Sequence, residues 1–373
     1  MLHSRRVAAH IAQEIQRAGG WIPFSEFMRL ALYAPGLGYY AAGAHKFGAQ
    51  GDFYTAPELT PLFGRTLAQQ FAEILRMTGG GVLELGAGTG VLAADVLEEL
   101  AALEALPDAY AILETSPDLR ERQLRALSRL APAPAARVRW IESPPSEWTG
   151  VIFGNEVLDA LPVELLARRD GSHLQRGVTL DDAQQFAWRD FELQAGPLVE
   201  AIDTLFPAGN YEAEINPTAK ALTATLARTL RRGLLLWIDY GFPAREYYHP
   251  QRTAGTLMCH YRQHAHADPL LLPGLQDITA HVNFTAIAHA GIDAGLDLAG
   301  YASQAAFLID CGIADLLQQT GSPNTADFLR HSNAVQRLLS PAEMGELFKV
   351  VAFTRGVQVP LCGFAQGDRS ERL

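Results

Sequence analysis

The stretch GVLELGAGTGVLAADVLEEL, residues 81–100, decides how this chain folds. GVLEL reads as a short apolar strand, Gly86, Gly88 and Gly90 form a tight turn, and VLAADVLEEL continues as a helix. Glycines there let the backbone turn sharply and approach a ligand closely, while the first turn of the helix offers amide groups without intrahelical partners. Strand, glycine-rich turn and helix together are the opening unit of a doubly wound α/β fold. A dinucleotide fingerprint needs a glycine three residues after Gly88, and that position is Val91. No Gly-Lys-Ser/Thr follows the turn, which excludes a phosphate-binding P-loop.

Outward from this unit, further strand candidates lie at 109–115 (AYAILET), 137–142 (RVRWIE), 150–155 (GVIFGN) and 233–240 (GLLLWIDY). They alternate with helical stretches, as a parallel sheet requires. The rhythm breaks over 164–230, which reads as an inserted substrate-side or partner-side subdomain. Residues 1–76 read as a mainly helical N-terminal segment with a loop at 51–57, and Val7, Ile11 and Ile15 are spaced like one face of its first helix. The expected architecture is therefore a Rossmann-like core, 77–163 and 231–373, carrying the N-terminal segment and the insertion.

The composition narrows the function. The chain has 373 residues, 48% of them hydrophobic, so it is long enough for a large core. A formal charge of −11 argues against a nucleic-acid surface, because such affinity rests on Lys and Arg neutralising phosphates. No apolar run approaches the length of a membrane span and no signal-like stretch opens the sequence, so a cytoplasmic protein is expected. Cys259, Cys311 and Cys362 form no CxxC pair, which suggests neither a disulfide framework nor a zinc site. The His-rich CHYRQHAH, 259–266, reads as a substrate-side loop, and no metal is expected.

The pattern Glu84-x-Gly86-x-Gly88-x-Gly90 at a strand end resembles motif I of class I S-adenosylmethionine-dependent methyltransferases. Glu114 closes the second strand candidate, where a carboxylate accepts hydrogen bonds from ribose hydroxyls. Catalytic groups in doubly wound folds sit beyond the carboxyl ends of the strands. There the chain reads GNEVLDALP, 154–162, and a helical turn after Asn155 would put Glu156 and Asp159 on one face. Asp239 and Tyr240 end the fifth strand candidate, and Asp277 and His281 follow in QDITAH.

Taken together, YAPGLGYY (33–40), GDFYTAPELTPLFG (51–64), LELGAGTG, AILETSPDLRERQ, GNEVLDALPVELL, LLLWIDYG, QDITAHVNFTAIA and GYASQAAFLIDCGI resemble the successive motifs of the MidA family of methyltransferases. The resemblance spans residues 33 to about 312. Its mitochondrial members are protein arginine methyltransferases acting on a core subunit of respiratory complex I during assembly. It implies S-adenosylmethionine as cofactor, held by Glu84, Gly86, Gly88, Gly90, Glu114, Thr55 and Pro57. It further implies a protein substrate contacted by Asp52, Tyr54, Asp239, Tyr240, Asp277 and His281, with Asn155, Glu156 and Asp159 doing the chemistry, and a lid over 51–57. One departure stands out: the family's His-Val-Asp-Phe is His281-Val-Asn283-Phe here. That change keeps a methyltransferase for another side chain or a small molecule in view, beside a non-catalytic assembly factor that retains the fold.

Overall fold

The computed structural model describes residues 2–41, 55–358 and 360–373. The chain forms two compact units, each assembled from separate stretches. The first contains 1–53, 158–220 and 242–283; the second contains 54–157, 221–241 and 284–373. Among the described residues no helix is long and apolar enough to cross a membrane.

The second unit is doubly wound. Its described strands are β1 (Gly81–Leu85), β2 (Tyr110–Leu113), β3 (Val138–Ile141), β4 (Trp148–Asn155), β5 (Leu230–Phe242), β6 (Asp297–Ser303) and β7 (Phe348–Arg355). They lie in the order β6-β7-β5-β4-β1-β2-β3. The run from β5 to β3 is parallel, and β7 enters antiparallel to both of its neighbours. β1 is buried at every residue, as expected of a strand covered on both faces. Strands β1 and β4 approach so closely at their starts that a side chain on Gly150 would sit 2.2 Å from the Gly81 carbonyl, and only glycine fits there.

Helix Leu62–Thr78 packs its Leu67, Phe71 and Leu75 into the same core as Leu92, Val96 and Leu97 of helix Val91–Ala102 and Phe153 of β4. The Phe71 and Phe153 rings are 4.9 Å apart between centroids. Leu62–Thr78 therefore belongs to the doubly wound unit rather than to a separate N-terminal segment, because its apolar stripe is buried in that unit's core.

The first unit is antiparallel. Strand Ser172–Leu180 pairs with Ile22–Pro23, Glu164–Arg169 and Phe186–Glu192, and Glu164–Arg169 pairs with Tyr211–Ile215. The expected insertion thus becomes a sheet that recruits both an N-terminal strand and residues far downstream. Its core joins Val7, Ile11 and Ile15 of helix Leu2–Arg17, Phe24, Phe27 and Met28 of helix Phe24–Tyr33, Val178, Cys259 and Ile278. Residues 242–283, expected in the Rossmann-like core, belong here because Cys259 and Ile278 are buried in that cluster. The His-rich run forms a hairpin, Met258–Tyr261 against His264–His266, with Cys259 buried and His264 exposed. Among the described residues no cluster of three His, Cys, Asp or Glu could hold a metal.

Candidate functional site

The glycine turn leaves β1 through three left-handed residues, Gly86 (φ 67°), Gly88 (φ 50°) and Gly90 (φ 83°). Gly90 caps helix Val91–Ala102, and a Cβ there would lie 2.8 Å from the Cα of Gln123. Both the backbone angle and the neighbour demand glycine. Beneath the turn Glu84 is 1% exposed and accepts a 2.8 Å hydrogen bond from the Tyr110 hydroxyl. Burial pushes its carboxyl up to about 8, against the opposing pull of that hydrogen bond.

Glu114 follows β2. One carboxylate oxygen accepts from the Ser116 amide at 2.8 Å and the other from Gln123 Nε2 at 3.1 Å. Burial pushes its carboxyl up, while the hydrogen bonds from Ser116, Gln123 and Thr115 and the Arg120 charge restrain the shift. Its two oxygens offer four acceptor sites and three are engaged, so Glu114 retains capacity for a further hydroxyl group. On the other side of the turn, Thr89 donates to Glu58 Oε1 at 2.6 Å. Glu58 sits in the short helix Ala56–Leu59, which Thr55 caps and in which Pro57 is buried, so the glycine turn and the Thr55–Pro57 segment are tied together. Asp52 and Tyr54, and most of the expected lid, lie outside the described residues. The helix after Thr60-Pro61 begins at Leu62, whose amide donates to Thr60 Oγ1 at 3.3 Å.

At the end of β4, Asn155 is buried and donates from Nδ2 to Glu156 Oε1 at 3.0 Å. Its Oδ1 is also buried and has no hydrogen-bond partner among the described residues. The helical turn expected after Asn155 does not form. Glu156 adopts φ 53° and its amide donates across to the Ile238 carbonyl of β5, so the residue that would open a helical turn extends the strand pairing instead. Leu158 and Leu161 are held by Asn216 Nδ2, and Pro162 leads straight into strand Glu164–Arg169. Glu156 and Asp159 therefore do not share a helical face; Glu156 lies in the doubly wound unit and Asp159 in the antiparallel one. Asp239 is 1% exposed and accepts from the Val157 and Tyr240 amides at 3.2 and 2.9 Å, so it braces the turn after Asn155. Tyr240 packs edge-on against Phe348.

A glycine turn after β1, an acid after β2 and polar residues after β4 are matched by what the chain is similar to. The sequence profile of a family described as "Putative S-adenosyl-L-methionine-dependent methyltransferase" matches residues 64–302. The chain belongs to this family. The methyltransferase is 50% identical to a protein from Burkholderia thailandensis whose crystal structure contains S-adenosyl-homocysteine. The two agree with a TM-score of 0.97, over 100% of this chain and 97% of that one. It is also 27% identical over 386 residues to "Protein arginine methyltransferase NDUFAF7 homolog, mitochondrial" from Drosophila melanogaster, covering 93% of this chain and 86% of that protein. The human protein arginine methyltransferase NDUFAF7 is 26% identical over 381 residues, covering 92% and 82%.

The residues present fit S-adenosylmethionine: the left-handed turn leaves no side chain where a ligand would approach, Glu114 keeps acceptor capacity, and Asn155 Oδ1 is a buried acceptor without a partner among the described residues.

In its antiparallel unit the methyltransferase gathers a second group of polar side chains. Asp277 is 2% exposed and accepts from Tyr40 OH at 2.9 Å and from the Ile278 amide at 3.0 Å. Tyr33 stacks on Tyr40 with centroids 5.5 Å apart and donates to the Ala160 carbonyl. Burial raises both tyrosine hydroxyls, and the charges of Asp277 and Asp159 raise them further. Asp159 is 5% exposed, and its carbonyl accepts from the Ala280 amide. Two predicted acids thus converge on two tyrosines of YAPGLGYY to which sequence reasoning gave no role. The His281 ring stacks on Phe242 at 5.3 Å, and the Arg252 guanidinium lies 4.5 Å from the Phe242 centroid. Asn283 hydrogen-bonds Tyr248, which partly offsets the rise that burial imposes on that hydroxyl. Glu214, absent from the sequence reading, is 1% exposed and receives Tyr247 OH, Thr256 Oγ1 and the amides of Thr256 and Leu257. Nothing in Tyr211–Ile215 signals it, since its partners lie 33 to 43 residues away.

Proposed function

We propose that this methyltransferase modifies an arginine of a protein, and that its acceptor is a subunit of the NADH dehydrogenase complex. The observation that carries the proposal is the meeting of Asp159 and Asp277 with Tyr33 and Tyr40. A guanidinium stays protonated in proteins and its planar fork matches carboxylates, while its face stacks on aromatic rings. The similarity to animal proteins named protein arginine methyltransferases over more than nine-tenths of this chain supports the same acceptor.

S-adenosylmethionine supplies a methyl already activated by its sulfonium, so the protein's work is to position two partners and exclude water. In this reading Glu114 accepts a ribose hydroxyl, Thr55 and Pro57 border the donor, and Asn155 Oδ1 accepts an N–H. Glu84 stays protonated near neutral pH and supports the turn through Tyr110. Asp159 and Asp277 hold and orient the guanidinium, and one of these carboxylates would take the proton its nitrogen loses on methylation. Asn283 is committed to Tyr248, so recognition of positive charge falls to Asp159 and Asp277.

The test is to incubate the full-length protein with methyl-labelled S-adenosylmethionine and NADH dehydrogenase subunits, then locate the label by peptide mass spectrometry. Label on an arginine, lost in Asp159→Asn, is expected. Label on another side chain, or only in the small-molecule fraction, would overturn the assignment.

A further inference from the structure

We propose that Gln123 is a positioning residue of the methyl-donor site: its side-chain amide orients the Glu114 carboxylate and ties it to the Gly88 carbonyl, so that acid and glycine turn act as one rigid surface. The inference rests on the reading of Glu114 as the ribose acid and adds a residue to it. Gln123, on helix Pro117–Leu127, is fully buried and engages both amide N–H groups and its carbonyl oxygen within the site. Nε2 donates to Gly88 O at 3.2 Å and to Glu114 Oε2 at 3.1 Å, and Oε1 accepts from Trp140 Nε1 at 2.7 Å.

The direction of the amide follows from chemistry. An indole N–H only donates, so the glutamine oxygen must face Trp140, and the two N–H groups must face the Gly88 carbonyl and the carboxylate. Trp140 stands on β3, Glu114 follows β2 and Gly88 follows β1, so one side chain links the ends of three adjacent strands. The contact is tight, because Gly90 has no Cβ and any larger residue would collide with the Gln123 backbone. A carboxylate free to rotate would lose much of its preference for a ribose hydroxyl. The charged groups around the pair are Arg120, which donates to the Glu114 carbonyl and to Glu142, and Glu58, bonded to Thr89 of the turn.

The experiment is calorimetry of the full-length protein with S-adenosyl-homocysteine and with its analogue lacking both ribose hydroxyls. The wild type should prefer the hydroxylated ligand by at least about tenfold, as expected for hydrogen bonds to a charged group. Gln123→Leu should reduce that preference to within about threefold of unity. Gln123→Glu is close in shape and sets two carboxyls side by side. It should show little preference near about pH 8 and regain it near about pH 6, as the pair takes up a proton, whereas the wild type shows no such profile. A packing role alone would not create that pH dependence. Retention of the wild-type preference by Gln123→Leu, or a flat pH profile in Gln123→Glu, would overturn the proposal. Glu114→Ala separates the two readings: if it also keeps the preference, the ribose assignment has failed; if it alone loses it, only the role of Gln123 has.

Discussion

The two units solve the problem of placing polar groups in opposite ways. In the doubly wound unit the residues proposed to meet the methyl donor lie at the ends of adjacent parallel strands, and Glu114 is held by Ser116 and Gln123, two and nine residues along the chain. The sheet beneath them is almost wholly apolar. In the antiparallel unit polar groups are held across long stretches of chain. Glu214 is met by Thr256 and Leu257, Asp277 by Tyr40, and Arg169 and Arg176 each bridge Asp190 and Glu212. The difference shows where robustness lies: the doubly wound unit owes its fold mainly to packing, whereas the other unit owes part of its fold to buried polar hubs.

Four substitutions can break or sharpen this contrast, and the largest effect is expected at the hub. Glu214→Ala strands two amides and a tyrosine hydroxyl in the interior and should cost about 3–5 kcal/mol in chemical denaturation. A wild-type unfolding midpoint would show that the antiparallel unit does not depend on that carboxylate.

Glu84 gives the doubly wound unit a pH dependence. Its carboxyl is raised from 4.5 to about 8, so across that window the folded protein retains a proton that the unfolded chain has released. Stability should therefore fall as pH rises through the window, by at most about 5 kcal/mol, and level off above it. Glu84→Gln should remove this slope, measured as unfolding free energy against pH; a slope unchanged by the substitution would contradict the assignment.

Gly90→Val comes next. A β-branched residue at a φ of 83°, pressed against Gln123, should cost about 1–3 kcal/mol of stability and weaken S-adenosyl-homocysteine binding by about 100-fold. Unimpaired binding would separate the glycine turn from the donor site. The smallest effect is expected for Asn283→Asp, which restores the family acid. The Tyr248 hydroxyl can turn from the Glu214 carbonyl, 3.3 Å away, to the new carboxylate, so stability should change by less than about 1 kcal/mol and cofactor affinity should stay as it was.

Much of the donor unit was legible because its signals are local. GVLEL, AYAILET and GVIFGN carry strand periodicity and end at the turn, at Glu114 and at Asn155. The spacing of Val7, Ile11 and Ile15 likewise gave the first helix, whose three residues are fully buried. The partition into units was not legible, because Phe27, Val178, Cys259 and Ile278 share a core that no sequence window contains. The pair Glu156 and Asp159 was misread as a helical face for a local reason: the left-handed Glu156 and the Asn216 clamp outweigh the spacing. Gln123 and Glu214 escaped notice because a single buried polar residue has no period, and its role depends on partners brought close only by folding.

The division of labour between the units is tested most directly by calorimetry of S-adenosyl-homocysteine with Glu114→Ala beside Asp277→Asn, both in the full-length protein. Glu114→Ala should weaken binding by at least about tenfold, while Asp277→Asn should bind as the wild type does. Weakened binding in Asp277→Asn with full affinity in Glu114→Ala would contradict the account.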